Sequence, residues 1–324
     1  METKLYDSNG IPRAVAIVGP TASGKTDFSL DVAERFYGEI IGCDSMQIYQ
    51  RMDIGTAKPT AAERARVPHH MVDFLPPSLP YSAADYAQDA KVAAEGILHR
   101  GHLPIFCGGT GLYLEAVRSG RHDALPTISP DVRKALEAEA AERGADAMHR
   151  LLSEGDPEAA AAIHPNNLRR TLRALEILRA TGKPKSEWDR QSREHPPAFS
   201  ILVLALFPTD RKALHARIDR RVERMMTEGL GREVSALFHD GLLSEETTAG
   251  AAIGYKEYAA FLRGECTEAE AIEQIKIATH RYARRQLTWF RGVQGAIPLA
   301  CDEGGVTPEA RERAYCEIEL FLNQ

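Results

Sequence analysis

The chain has 324 residues, a formal net charge of −6, 44% hydrophobic and 27% charged residues, proportions of a soluble globular protein long enough for two domains. No stretch approaches the length of a membrane span, and the polar start METKLYDSNG lacks a signal-peptide core. Five scattered cysteines without a C-x-x-C argue against a zinc site and a disulfide framework and for a reducing cytoplasm. The acidic balance announces no nucleic-acid partner, so such a partner must be sought in local basic patches.

Ala14-Val15-Ala16-Ile17-Val18 predicts a first strand, and Asp27 to Phe36 a helix. Between them lies GPTASGKT (19–26). Strand, glycine-rich turn and helix are the context that the phosphate-binding pattern G-x-x-x-x-G-K-[ST] requires. Gly19, Pro20, Thr21, Ala22, Ser23 and Gly24 form the loop that curls around an anion. Lys25 reaches its outer phosphates, and Thr26 offers a hydroxyl to a magnesium ion. A second strand, 39–43, ends at Asp44 and opens into DSMQIY (44–49). Ligands gather at the carboxyl ends of parallel strands, which puts Asp44 beside the phosphate loop. There it serves as a general base, or else as a magnesium ligand or helix cap. Cys43 is expected to be a small buried residue.

Residues 51–81 hold several prolines and read as an irregular loop, with Lys58 solvated and His69 and His70 structural. Ser82 and Asp85 make a capping box for a helix ending at Gly101. A third strand, 103–107, runs into GGTGLYL (108–114). Those glycines either let backbone approach a ligand, with Thr110 offering a hydroxyl, or are steric. No acid ends this strand, so the partner that holds a water for NTP hydrolysis is missing.

From 121 to 200 the texture is helical: Ser129-Pro130 opens a helix to Arg143, 158–162 is Ala-rich, and 166–181 ends at Gly182 and Pro184. An all-helical insertion over 121–200 is expected within an α/β core made of 1–120 and 201–324. In HPNNLRRTLRALEIL (164–178) the arginines lie off the leucine stripe. They make either a solvated face or a phosphate-contacting one. Residues 201–206 predict a fourth strand, apolar throughout. In the following helix, 210–226, Arg217, Arg220, Arg221 and Arg224 share one face suited to phosphate. AIGYKE (252–257) breaks two helices. KIATHRYARRQLTWFR (276–291) carries five basic residues and no acid, with Tyr282, Gln286 and Trp289 on one helical face. Basic side chains interleaved with aromatics fit RNA backbone contact and base stacking, or else the aromatics are core, as expected largely of Trp289 and Phe290. A loop and a closing helix, 308–322, complete the chain.

Taken together, GPTASGKT, DSMQIY, GGTGLYL, IHPNNLRRTLRALE (163–176), LHARIDRR (214–221), AIGYKE and RYARRQLTWFR (281–291) resemble the tRNA dimethylallyltransferase (isopentenyltransferase) family in its bacterial form. They span nearly the whole chain in the family's order. Asn167 stands where many members carry Asp. The resemblance implies a P-loop NTPase-like parallel sheet flanked by helices, with the helical insertion contacting tRNA. It further implies transfer of a dimethylallyl group from dimethylallyl diphosphate to N6 of the adenosine 3′-adjacent to the anticodon, with Mg2+ as cofactor. The phosphate loop then grips a diphosphate leaving group with Arg217, Asp44 is the base and Thr21 lies near the reacting atoms. The tRNA contacts carried over are Asp44, Ser45, Met46, Gln47, Asn166, Asn167, Leu168, Arg169, Arg170, Lys276, Arg281, Arg284, Arg285 and Gln286, with Thr110 and Arg133 at the channel rim. A cytoplasmic monomer is expected. The rivals are an adenylate isopentenyltransferase, a nucleotide kinase and a non-catalytic RNA-binding protein with a relic loop.

Overall fold

The computed structural model describes residues 4–119, 128–193, 197–244 and 247–324. Two compact units emerge, Met1–Arg118 with Ala198–Gln324, and Ser119–Pro197. The expected first edge of the insertion, at 121, lies outside the described residues, whereas the expected second edge, at 200, falls on the first residue of the strand Ser200–Pro208, and the second unit ends at Pro197.

The first unit is built on one sheet of seven strands: β1 (Arg13–Val18), β2 (Gly38–Gly42), β3 (His69–His70), β4 (Leu103–Gly108), β5 (Ser200–Pro208), β6 (Ile297–Asp302) and β7 (Gly305–Val306). Their spatial order is β3-β2-β4-β1-β5-β6-β7, parallel except for β7. The helices in chain order are α1 (Lys25–Arg35), α2 (Ala61–Arg66), α3 (Ala83–His99), α4 (Gly111–Ser119), α5 (Pro130–Arg143), α6 (Ala145–Gly155), α7 (Pro157–Ala162), α8 (Leu168–Thr181), α9 (Lys185–Arg193), α10 (Arg211–Glu228), α11 (Leu230–His239), α12 (Tyr255–Leu262), α13 (Glu268–Arg291) and α14 (Pro308–Asn323).

Strand alternation divides the core. Val15 and Ile17 of β1 pack with Phe28 and Leu30 of α1 and Ile318 of α14. Ala14, Ala16 and Val18 face the other way, onto Tyr86, Ala90 and Ile97 of α3. Covering both faces explains why the central strands β1, β4 and β5 are largely apolar. A third cluster, with Ile48, Met52, Val222, Val234 and Tyr255, joins the segment after β2 to α10–α12.

The expected parallel α/β core is the one observed, but several elements differ. The stretch 51–81 contains α2, held by a Thr60–Glu63 capping box, and the two-residue edge strand β3. Prolines mask both, because β3 exists only through its pairing with β2. After Gly292 the chain makes β6 and β7, where a loop was expected. That short run, interrupted by Pro298, gains its strand character from β5 alongside it. GGTGLYL ends in α4, and α13 begins at a Thr267–Glu270 capping box, upstream of the basic stretch.

The second unit consists of α5–α9 around Leu136, Met148, Leu152, Leu172 and Leu175. Asn167 caps α8 by accepting from the Arg170 N–H at 3.3 Å, and left-handed Gly182 closes it.

Candidate active site

The phosphate loop follows β1 at the carboxyl edge of the sheet. Gly24 caps α1 with φ 84°, and no side chain caps the helix. The first-turn N–H groups are thus left for an anion, and the helix dipole adds to them. Two close approaches set the loop's shape. A Cβ on Gly19 would stand 2.9 Å from the Leu206 Cβ, and one on Gly24 would stand 2.8 Å from the Gly305 Cα. Ala22 takes a left-handed φ of 60°, and the buried Ser23 hydroxyl has no partner among the described residues. Lys25 Nζ donates to the Pro20 carbonyl at 3.1 Å. Burial lowers its pKa, and the nearby Arg221 charge adds to that fall against the pull of Cys107 and Asp44.

A cavity of about 350 Å³ opens beside the loop. Its polar lining includes Thr21, Lys25, Thr26, Asp44 and Arg221. Its apolar lining comes from α10 (Ile218, Val222, Met225), α13 (Ile275) and the residues before α12 (Ile253). Asp44 Oδ1 accepts from the N–H of Met46 at 2.9 Å and of Gln47 at 3.4 Å, a turn that fixes the carboxylate at the end of β2. Ser45, Met46 and Gln47 line the same cavity. Gln47 Nε2 donates to the carbonyls of Thr56 and Ala57, so its amide holds the facing wall. Glu233 holds that wall from behind, accepting from the N–H of Asp53, Ile54 and Gly55 and from the Tyr255 hydroxyl.

The arginine stripe of α10 divides. Arg221 lines the cavity; burial lowers its pKa while the Asp44 carboxylate opposes the fall. Arg217 hydrogen-bonds the Asp302 carbonyl, with Nη2 3.7 Å from where a Gly24 Cβ would sit. Arg220 and Arg224 are exposed and meet Glu303 and Glu228. Stripe membership alone did not separate the inward pair from the outward pair. Tyr282 and Lys256 also line the cavity; the sequence offered Tyr282 as an aromatic for base stacking and gave Lys256 no role.

Gln286 is buried. Its Oε1 accepts from the Thr21 N–H and its Nε2 donates to the Gly109 carbonyl, both at 2.9 Å. It therefore ties the phosphate loop to the GGTG turn. The glycines of that turn are steric: a Cβ on Gly108 would run into the Cys43 backbone, on Gly109 into Gln286, and on Gly111 into Trp289. The Thr110 hydroxyl accepts from the Ser45 N–H at 3.0 Å. Cys43 is buried, as expected, and burial pushes its thiol up to about 12. Lys58 is not solvated but buried, donating to the Tyr49 carbonyl and bridging Asp53 and Asp73. A β-edge turn with three oxygen acceptors needs a cation, which a proline-rich stretch does not advertise.

On α13, Lys276 pairs with Glu223 at 2.7 Å, and Arg281, Arg284 and Arg285 are exposed. In the second unit Asn166, Arg169 and Arg170 are exposed and Leu168 is half-buried, while Arg133 pairs with Glu137 at 2.6 Å and Glu176 at 3.7 Å.

The model of the IPP transferase family matches residues 47–293, and that of isopentenyl transferase matches 12–69. The tRNA dimethylallyltransferase of Roseiflexus sp. is 46% identical over 91% of this chain and 95% of its own. That of Halorhodospira halophila is 44% identical over 89% and 93%. Among solved structures, a full-length tRNA isopentenylpyrophosphate transferase from Bacillus halodurans superposes with a TM-score of 0.69 at 41% identity, covering 95% of this chain and 97% of that one. A eukaryotic dimethylallyltransferase acting on tRNA gives a TM-score of 0.76 at 29% identity, covering 89% and 73%. With relatives this similar along nearly its whole length, the chain belongs to the tRNA dimethylallyltransferase family.

Proposed function

We propose that this protein transfers the dimethylallyl group of dimethylallyl diphosphate to N6 of the adenosine 3′-adjacent to a tRNA anticodon. The observation that carries this reading is the double character of one cavity. Lys25, Thr26, Asp44 and Arg221 supply cationic and oxygen groups beside a phosphate loop, and Ile218, Val222, Met225, Ile253 and Ile275 supply an apolar wall. A five-carbon chain buried there gains roughly 0.8 kcal/mol per CH₂.

In the transfer, the adenine N6 bonds to C1 of the dimethylallyl group while the C1–O bond to diphosphate breaks. Carbon gains positive charge and diphosphate gains negative charge as they part. Loop N–H groups, Lys25, Arg221 and Arg217 face that growing negative charge, so they stabilise the transition state more than the ground state. N6 must then lose a proton. Asp44, which lines the cavity at the strand end next to the loop, takes it. Thr21 lies on the cavity wall, held by Gln286 at its backbone.

Thr26 and Asp44 are both oxygen donors on that wall, and magnesium takes one or two protein oxygens alongside substrate phosphates, so the residues fit it. Thr26 would hold the ion, which when bound neutralises the charge of the departing diphosphate. The tRNA contacts are assigned to 44–47, to Arg281, Arg284 and Arg285 on α13, and to Asn166, Arg169 and Arg170 in the second unit. Lys276, Asn167 and Gln286 already have protein partners and act through positioning.

The deciding experiment gives the protein labelled dimethylallyl diphosphate, magnesium and either unmodified tRNA or AMP, followed by nucleoside analysis. Label at the adenosine beside the anticodon is expected. Label in AMP alone would replace this reading with that of an adenylate isopentenyltransferase.

A further inference from the structure

Trp289 was expected in the core, yet it is 40% exposed. It follows the buried Gln286 by three residues on α13, and with Tyr282 and Gln286 it repeats at i, i+4 and i+7 on one helical face. Tyr282 and Gln286 line the catalytic cavity, so the indole stands about one turn, roughly 5 Å, further along the helix. Its five-membered ring rests on Gly111, which can only be glycine because a Cβ would overlap Cδ1 and Nε1. Leu112, next in the chain, is also exposed. Along α13 stand Arg281, Arg284, Arg285 and Arg291, none of which makes an ion pair among the described residues, whereas Lys276 on the same helix does; the Arg285 and Arg291 guanidinium groups lie over the rings of Tyr282 and Phe207.

A supported aromatic ring with a free surface, on a helix whose arginines have no carboxylate partner among the described residues, matches single-stranded RNA: phosphate for the arginines and a base for the ring. We propose that Trp289 is a stacking platform for a base neighbouring the reacting adenosine, outside the catalytic cavity. This rests on the tRNA reading above. Extracting one base from a loop leaves its neighbour with a bare face. The indole replaces the lost stack and lowers the cost of extraction. Since every base has a π-face, the platform tolerates any nucleotide at that position.

The chain has two tryptophans, so W188F leaves Trp289 as the only indole. Titrating this variant with a synthetic hairpin carrying an anticodon loop should quench its fluorescence saturably. A hairpin made abasic on both sides of the target adenosine should bind without that quenching. W289A should raise KM for the hairpin about tenfold, leave KM for dimethylallyl diphosphate and the melting temperature unchanged, and be largely rescued by W289F. A hairpin that is prenylated but causes no quenching, or a W289A variant with wild-type KM for RNA, overturns the platform and leaves the reaction assignment standing. Failure to prenylate any RNA overturns the reaction assignment itself.

Discussion

Asp44 and Arg221 line the same cavity, and the proposed chemistry assigns them opposite tasks. Asp44→Asn keeps an acceptor for the Met46 N–H, so the turn should survive and only the base be lost. Turnover should fall about 10²- to 10⁴-fold with donor binding intact, as measured by single-turnover kinetics and donor titration. Wild-type turnover in that variant would dismiss Asp44 as the base. Arg221→Gln should cost about 10²- to 10³-fold in kcat, because it removes a cation aimed at the leaving group. Arg217→Gln should cost less, about tenfold, since that guanidinium already spends a donor on the Asp302 carbonyl. Steady-state kinetics of the two variants side by side would show the order. The phosphate loop and Asp44 were legible in the sequence because a short motif dictates their backbone. Arg221 was visible only as one member of a stripe. Helical periodicity says which residues share a face, and only packing says which part of that face looks inward.

Helices declared themselves through their caps: Ser82 with Asp85, Ser129 before Pro130, and Gly182 after Thr181 stand where the pattern put them. Strands β3, β6 and β7 did not: β3 and β7 have two residues each, β6 is interrupted by Pro298, and all three depend on the strands they pair with. The Asn167 cap is testable: Asn167→Ala should lower stability by about 1 kcal/mol, seen as a drop in the melting temperature. A second seam lies between strands. Buried Glu39 of β2 accepts two bonds from Arg100 and one each from His70 and His102. The Arg100 bonds, aided by the two histidines, hold its carboxyl down to about 2. A depressed carboxyl contributes stability above its ordinary value of 4.5 and loses it as pH falls towards 2. Wild type should therefore exceed Glu39→Gln in melting temperature at neutral pH, with the gap closing between about pH 4.5 and 2. A gap unchanged with pH would show that Glu39 acts by shape alone.

At the scale of the whole molecule, a net charge of −6 opposes a polyanionic partner, yet α13 concentrates arginines that lack carboxylate partners among the described residues. RNA binding should accordingly weaken steeply with salt. Each of Arg281→Gln, Arg284→Gln and Arg285→Gln should reduce the slope of log K against log[salt] by about one for each phosphate contact removed. Affinity measured across a salt series would show it, and slopes identical to wild type would move the RNA elsewhere.

The contact between Gly24 and Gly305 has a consequence for the order of events in the cell. The phosphate loop leaves the ribosome well before the groups that pack against it. The groups that close around it, Arg217, Gln286 and the β6–β7 turn, are made long afterwards. A nascent chain can therefore display the motif while having no site, and the donor cannot serve as a template for early folding. Ribosome-stalled chains ending before β6 should not retain dimethylallyl diphosphate, whereas chains extended past α14 should.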